Sequence, residues 1–278
     1  MKKIKALFIL TRPVNVLIGG LSIVIGAFIA GSLQPVINVV LAAFSGGIIA
    51  GAANSINDYY DLKIDKINKP YRPIPAGLVT QKEAFCFSIA LFIVGLVLGA
   101  LINWKALLIA IFACVVLYLY SARLKRTVLW GNLSVSLISA FAFIYGGVAV
   151  NRLNAALIPA GFAFLFHLGR EIIKDVEDQK GDLADNAKTL PIQYGTNVAL
   201  SVTTIVFILL IIATFLPYIF NVFGFIYLLV VILGVDLVVI YVIFSIWKNP
   251  QPANLGRLST ILKIDMLMGL FAIYVGRF

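Results

Sequence analysis

Apolar runs of about twenty residues alternate with polar breaks along almost the whole chain. A helix needs about 20 mostly apolar residues to cross a bilayer. Runs of that kind predict nine spans, at 14–32, 36–57, 83–102, 105–121, 132–150, 155–173, 196–216, 222–246 and 258–277. The breaks differ in kind. Those near Gln34, Asn103, Asn151 and Pro217 are short, whereas 58–82, 122–131, 174–195 and 247–257 are longer and polar. Helix pairs followed by polar loops hint at an internal repeat of about four helices. The expected fold is all-α, one polytopic membrane domain over residues 1–278.

Composition agrees with that pattern. Of the 278 residues 62% are hydrophobic and only 12% charged, against about 25% charged in a soluble domain. Mean hydropathy is +1.03. A net charge of +10 would suggest nucleic acid in a soluble protein. Here it reads as lysine and arginine gathered on the cytoplasmic side and against anionic lipid or substrate, with no nucleic-acid partner. With the N terminus in the cytoplasm, that side receives 19 of the 22 basic residues, and only Lys105, Arg152 and Arg277 fall outside. The protein is thus expected to be multi-pass in the cell membrane, with its N terminus and its polar loops cytoplasmic. Cys86 and Cys114 lie in apolar runs without metal-ligand spacing, which argues against disulfides and zinc. The basic start "MKKIK" leads into an apolar run with no convincing cleavage site, so the first helix is expected to stay.

The acidic residues change the picture most. The uncharged "LAAFSGGIIAGAA" runs into "NSINDYYDLKIDK", with Asp58, Asp61 and Asp65 spaced three then four. On a continuing helix Asn54, Asn57 and the three aspartates share one stripe. After the sixth span, "REIIKDVEDQKGD" repeats the spacing in Asp175, Asp178 and Asp182, with Glu171 extending the stripe and Arg170 and Lys174 flanking it. Leaving Glu83 aside, nine of the twelve acidic residues fall within 58–83 or 171–185. Like charges gathered near hydrocarbon are costly and need a positive partner. Oxygen-only donors without histidine suit Mg²⁺, which is usually held by a few carboxylates plus substrate phosphates. The two clusters therefore read as a metal-mediated diphosphate clamp, with basic residues on the remaining phosphate oxygens.

A prenyl diphosphate fits such a clamp at a membrane surface, its chain in lipid and its head at the interface. Its departing diphosphate leaves an allylic cation that aromatic faces can stabilise. Tyr59, Tyr60, Tyr118, Tyr120 and Tyr145 are candidates, each also explicable as packing or interface belt.

The residues quoted resemble the UbiA-type intramembrane prenyltransferases. "NDYYDLKID" is similar to that superfamily's first motif and "DVEDQKGD" to its second, and the likeness runs on through "NKPYRPIPAG", "YSARLKR" and "KTLP". The resemblance implies nine helices around a central cavity and Mg²⁺-dependent prenyl transfer. It implies metal ligation by Asn57, Asp61 and Asp65 with Asp58 beside them, and by Asp178 and Asp182 with Asp175 one turn earlier. It puts Arg72 and Lys125 on the diphosphate, so that Asp61, Asp178, Arg72 and Lys125 carry the chemistry. Asn54 and Tyr118 join the expected substrate-binding residues. Within the superfamily, "RPVN", "ARLKRTVLWGNL" and "REIIKDVEDQKGD" resemble the archaeal branch that adds a second geranylgeranyl chain to the glycerol hydroxyl of geranylgeranylglyceryl phosphate. That acceptor brings a second anion, for which Arg126, Arg170, Lys174 and Lys188 are the surplus cations.

The alternatives are prenylation of an aromatic acceptor, as in quinone synthesis, and a membrane transporter. Among remaining polar residues, Asp236 is a functional candidate as a buried acid at membrane depth but reads first as a structural hydrogen bond to a neighbouring helix; His167 could line the cavity but reads first as a satisfied core histidine; Glu177 and Asp185 read as solvated. The sequence does not specify an oligomeric state.

Overall fold

The computed structural model of the protein describes residues 2–277, apart from the side chains of Lys2 and Asn68. In lipid every backbone N–H and C=O must be satisfied within the segment, so apolar runs of this length fold as helices. Eight do so singly: α3 (Val36–Tyr60), α5 (Gln81–Ala100), α6 (Trp104–Ala122), α7 (Trp130–Ala149), α8 (Leu157–Glu177), α11 (Thr196–Ile219), the segment Phe225–Lys248, and α14 (Pro252–Val275). The ninth is a bent pair, α1 (Lys2–Leu10) and α2 (Pro13–Ile29), whose axes differ by 47°. The bend sits at Arg12, left-handed at φ 53°, with Pro13 opening α2. The predicted span at 222–246 is itself interrupted. It comprises α12 (Phe225–Val231), a π-helical turn over Ile232–Asp236, and α13 (Leu237–Lys248). The chain is thus an all-α, multi-pass membrane protein.

Successive spans pack on one another in chain order, and α14 closes the bundle against α2 and α8. Their outer faces carry large exposed apolar side chains such as Phe44, Val97, Leu108, Ile205 and Phe244, as lipid contact requires. Two glycines set the closest crossing. A Cβ on Gly26 of α2 would lie 2.3 Å from the Phe143 carbonyl oxygen, and one on Gly146 of α7 only 1.9 Å from that of Ile23. Small residues let membrane helices approach to backbone contact in this way.

The polar loops hold short helices. Those that matter for the site are α4 (Leu62–Asn68) and α9 (Gln179–Ala184); α10 (Leu190–Tyr194) follows them. The stripe expected of one continuous helix through Asp65 is not found. Helix α3 stops at Tyr60 and α4 starts at Leu62, with Asp61 as the joint at φ −88°, ψ 4°. Asp178 makes the same joint between α8 and α9, at φ −87°, ψ 5°. α4 and α9 touch, so the two joints lie at the same end of the bundle.

Candidate active site

A cavity of about 560 Å³ opens between α2, α3, α7, α8 and α14. Its lower walls are apolar, from Ile18, Ile23, Ile49, Ala110, Phe141 and Phe143. Its mouth collects Asn54, Asn57, Asp61, Asp65, Arg72, Lys125, Arg126, Arg170, Lys174, Asp175, Asp178 and Asp182. Twelve of the expected site residues, drawn from segments more than a hundred positions apart, therefore line one space.

The first acidic stretch is already occupied by cations. Lys125, carried in by a short 3₁₀ turn over Leu124–Arg126, forms an ion pair with Asp61 and reaches Asn57 Oδ1 at 3.2 Å. Asn57 in turn donates to Asp61 at 2.7 Å. Burial lowers the Lys125 pKa, and the Asp61 charge only partly restores it. Arg72 Nη1 donates to both oxygens of Asp65, at 2.9 and 2.7 Å, and to Asp58 at 3.1 Å. Burial still holds the Asp65 carboxyl above its ordinary value despite Arg72.

Asp58 departs from expectation. It is 2% exposed and does not line the cavity, because its carboxylate is turned to Arg12 and Arg72 and ties the α1–α2 bend to α3. Its place is that of a structural ion pair rather than a metal ligand.

The second stretch has almost no cation. Lys69 stands 3.5 Å from Asp178. Asp175 accepts from Asn132 of α7 at 2.9 Å. Asp182 has no ion pair among the described residues, and its pKa is pushed up to about 7, first by burial and then by Asp178 and Asp61. Apart from Lys69, no cation pairs with these carboxylates among the described residues, and all the donors are oxygen, so the residues present fit a hard divalent cation. Among the described residues no three of His, Cys, Asp or Glu are gathered closely enough to hold an ion by themselves. A divalent cation here would therefore need oxygens from the substrate as well.

The expectations for five other residues are corrected. Tyr118 lies on the outer face of α6, where Tyr60 donates to it at 3.0 Å; two residues along a helix turn a side chain to the opposite face, and it is Tyr120 that lines the cavity. Lys188 is exposed and outside the cavity. Asp185 is not free in solvent but pairs with Arg126, and Glu177 is half-buried against α14. His167 is not a satisfied core histidine: it lines the cavity, and its buried Nδ1 has no hydrogen-bond partner among the described residues. Of the other aromatic candidates, Tyr145 lines the cavity with its hydroxyl 2.9 Å from Ser45 Oγ, whereas Tyr59 and Tyr60 pack against each other outside it. Asp236 accepts from Thr214 of α11 at 3.2 Å, as a structural hydrogen bond between helices.

Sequence reasoning missed Arg12, Lys69, Asn132, Lys263 and Asp265. Asp265 sits in a side chamber of about 80 Å³ with Tyr227, Phe166 and Leu270, both oxygens without a hydrogen-bond partner among the described residues. Its signal was present, since it is an acid inside an apolar span like Asp236.

The UbiA prenyltransferase family model matches residues 20–262. A digeranylgeranylglyceryl phosphate synthase of Methanopyrus kandleri is 39% identical over 263 residues, covering 95% of this chain and 96% of that protein. A structure solved in a study of digeranylgeranylglyceryl phosphate synthase in membranes is 35% identical, with a TM-score of 0.79 over 100% of this chain and 99% of the other. A UbiA homologue from Archaeoglobus fulgidus bound to GPP and Mg²⁺ shares the fold at 21% identity, with a TM-score of 0.68 over 97% of this chain and 100% of that one.

Proposed function

The chain belongs to the UbiA prenyltransferase family, and on that premise we propose that it moves a geranylgeranyl group from geranylgeranyl diphosphate to the free glycerol hydroxyl of geranylgeranylglyceryl phosphate, releasing diphosphate. The transporter alternative falls with the family. The observation that carries the reading is the pair of matched aspartate joints, Asp61 and Asp178, facing one apolar-walled cavity. The choice of acceptor is supported by the relatives at 34–39% identity that bear the synthase name.

Asp61, Asp65, Asp178 and Asp182, with Asn57, are the residues that would hold Mg²⁺. Bound there, the ion neutralises the diphosphate and makes it a better leaving group. Lys125 and Arg72 offer N–H donors to the phosphate oxygens, exchanging them from Asp61 and Asp65. The C1–O bond breaks with its electron pair going to diphosphate. The allylic carbon, now cationic, lies in a space with the rings of Tyr120 and Tyr145 on its walls, and the apolar lining keeps water from intercepting it. The acceptor hydroxyl oxygen forms the new bond to C1 and loses its proton after attack, so no strong base is needed.

The lysine and arginine bias supports the reading that the N terminus and both joints face the cytoplasm at the cell membrane. The whole chain acts as one domain. Purified protein with Mg²⁺ and geranylgeranyl diphosphate should release diphosphate when given geranylgeranylglyceryl phosphate. Efficient prenylation of 4-hydroxybenzoate, with the glycerol phosphate ignored, would overturn the acceptor assignment.

A further inference from the structure

Helix α8 carries three charged residues in little more than one turn, just before the second acidic stretch. Glu171 is 6% exposed and accepts from Arg170 Nη1 at 3.0 Å and from Lys174 Nζ at 2.9 Å. One buried carboxylate therefore aims two cations at the cavity. Arg170 also reaches across to α14, where its Nε donates to the Ser259 carbonyl at 3.2 Å. Lys263 lies one turn beyond Ser259 on α14, half-buried, and lines the same cavity. The charges that act on it most are Arg170, Arg12 and Lys174, all cations, while Glu171 and Asp175 line the same cavity. Among the described residues no carboxylate pairs with it, and Arg12 is already taken by Asp58.

Arg170, Lys174 and Lys263 set against Glu171 leave a local surplus of two positive charges. A half-buried ammonium among like charges is unfavourable until an anion arrives. A phosphate monoester carries about −1.5 to −2 at pH 7, which matches that surplus. The donor's diphosphate is not the natural occupant, because its own seat lies one turn further along α8, at Asp178 with Asp61 and Lys125. Arg126, otherwise eligible, is taken by Asp185, and Lys188 faces away.

We infer that Lys263, with Arg170 and Lys174 held by Glu171, forms a seat for the phosphate monoester of the acceptor, separate from the diphosphate clamp. Lys263 is then a specificity-determining residue contributed by the last helix. The inference deepens the acceptor reading above and rests on it for the identity of the ligand, although the seat itself is defined by charge.

The test uses the full chain in detergent. Lys263→Gln should raise the KM for geranylgeranylglyceryl phosphate at least tenfold and shift that for geranylgeranyl diphosphate less than twofold; Lys263→Arg should recover most of the loss. Equal effects on both substrates, or none on the acceptor, overturn the seat. A second measurement separates this from failure of the acceptor reading. Inorganic phosphate and the phosphorylated acceptor are each titrated against the thermal unfolding of metal-free protein. A rise in Tm with either, lost in Lys263→Gln, upholds an anion seat even if turnover shows another acceptor. No rise with either one overturns it.

Discussion

The two acidic stretches share spacing and backbone, yet they differ at every corresponding position. Asp58 and Asp175 come first in each: Asp58 is turned out of the cavity between Arg12 and Arg72, and Asp175 lines it, accepting from Asn132 and without an ion pair among the described residues. Asp61 and Asp178 form the joints; the first is paired to Lys125, the second has Lys69 at 3.5 Å. Asp65 and Asp182 come last; Arg72 grips both oxygens of the first, whereas the second has no ion pair among the described residues. One stretch has a cation against each of its aspartates, and the other has Lys69 alone against Asp178 among the described residues. The same pattern of residues therefore does not have the same electrostatic meaning twice. In the proposed mechanism the first stretch holds the cations that pass to an arriving diphosphate. The second is where the attraction for a divalent cation is strongest.

The largest expected effect comes at the joints. Asp61→Asn and Asp178→Asn each remove a charged oxygen from the shared site, and each should lower kcat/KM by about 100-fold or more. EDTA should abolish activity of the unaltered protein and Mg²⁺ should restore it. The two variants should part in thermal unfolding of the metal-free protein. Asp61→Asn strands the buried Lys125 and lowers Tm, whereas Asp178→Asn leaves Tm unchanged or higher. Equal losses of Tm would erase the contrast drawn between the stretches.

The first positions give the next largest effect, and it falls on stability. Removing one partner of a buried ion pair leaves the other charge uncompensated, at about 3 kcal/mol or more. Asp58→Asn should cost that much in reversible unfolding, because Arg12 and Arg72 both lean on it. Asp175→Asn, with no cation to strand and an amide that still reaches Asn132, should cost less than about 1 kcal/mol. A stable Asp58→Asn protein that has lost Mg²⁺ dependence would return Asp58 to the metal.

That contrast also marks where the sequence was legible. Spans could be located because hydropathy is a local property, and all nine predicted segments correspond to helices. The interruptions could not. The bend at Arg12 depends on a left-handed residue ahead of a proline, and the π turn that ends at Asp236 leaves no mark in an apolar run. At the site, the three-then-four spacing placed the aspartates on a common face only on the assumption of an unbroken helix. The helix breaks at Asp61, so Asp65 is not carried on the α3 stripe, and Arg12 and Arg72 hold Asp58 away from the cavity. The partners were less legible still. Arg12, Lys69 and Asn132 lie 46, 109 and 43 residues from the aspartates they meet, and only the closed bundle brings them together. Lys263 was visible merely as one of many cytoplasmic cations.

The last positions give the smallest effect, and it depends on pH. The Asp182 carboxyl is pushed from 3.8 up to about 7 by burial and by its neighbours Asp178 and Asp61. Below about pH 7 it carries a proton that a metal must displace, so the Mg²⁺ concentration for half-maximal rate should rise by up to about tenfold for each unit of acidification. The metal-free protein should respond with the opposite sign. A carboxyl whose folded pKa is raised binds more protons folded than unfolded between 3.8 and about 7. Its stability therefore falls as pH rises through that window, and acidification restores it. Asp65 sits in the corresponding place with Arg72 against it, so its proton is held less firmly than burial alone would dictate. Asp182→Asn should flatten both pH profiles while weakening Mg²⁺ at neutral pH. Initial rates across Mg²⁺ titrations from about pH 5.5 to 8, beside unfolding curves without metal, decide it. A Mg²⁺ requirement in Asp182→Asn that still climbs tenfold per unit would assign the proton to another carboxylate of the second stretch.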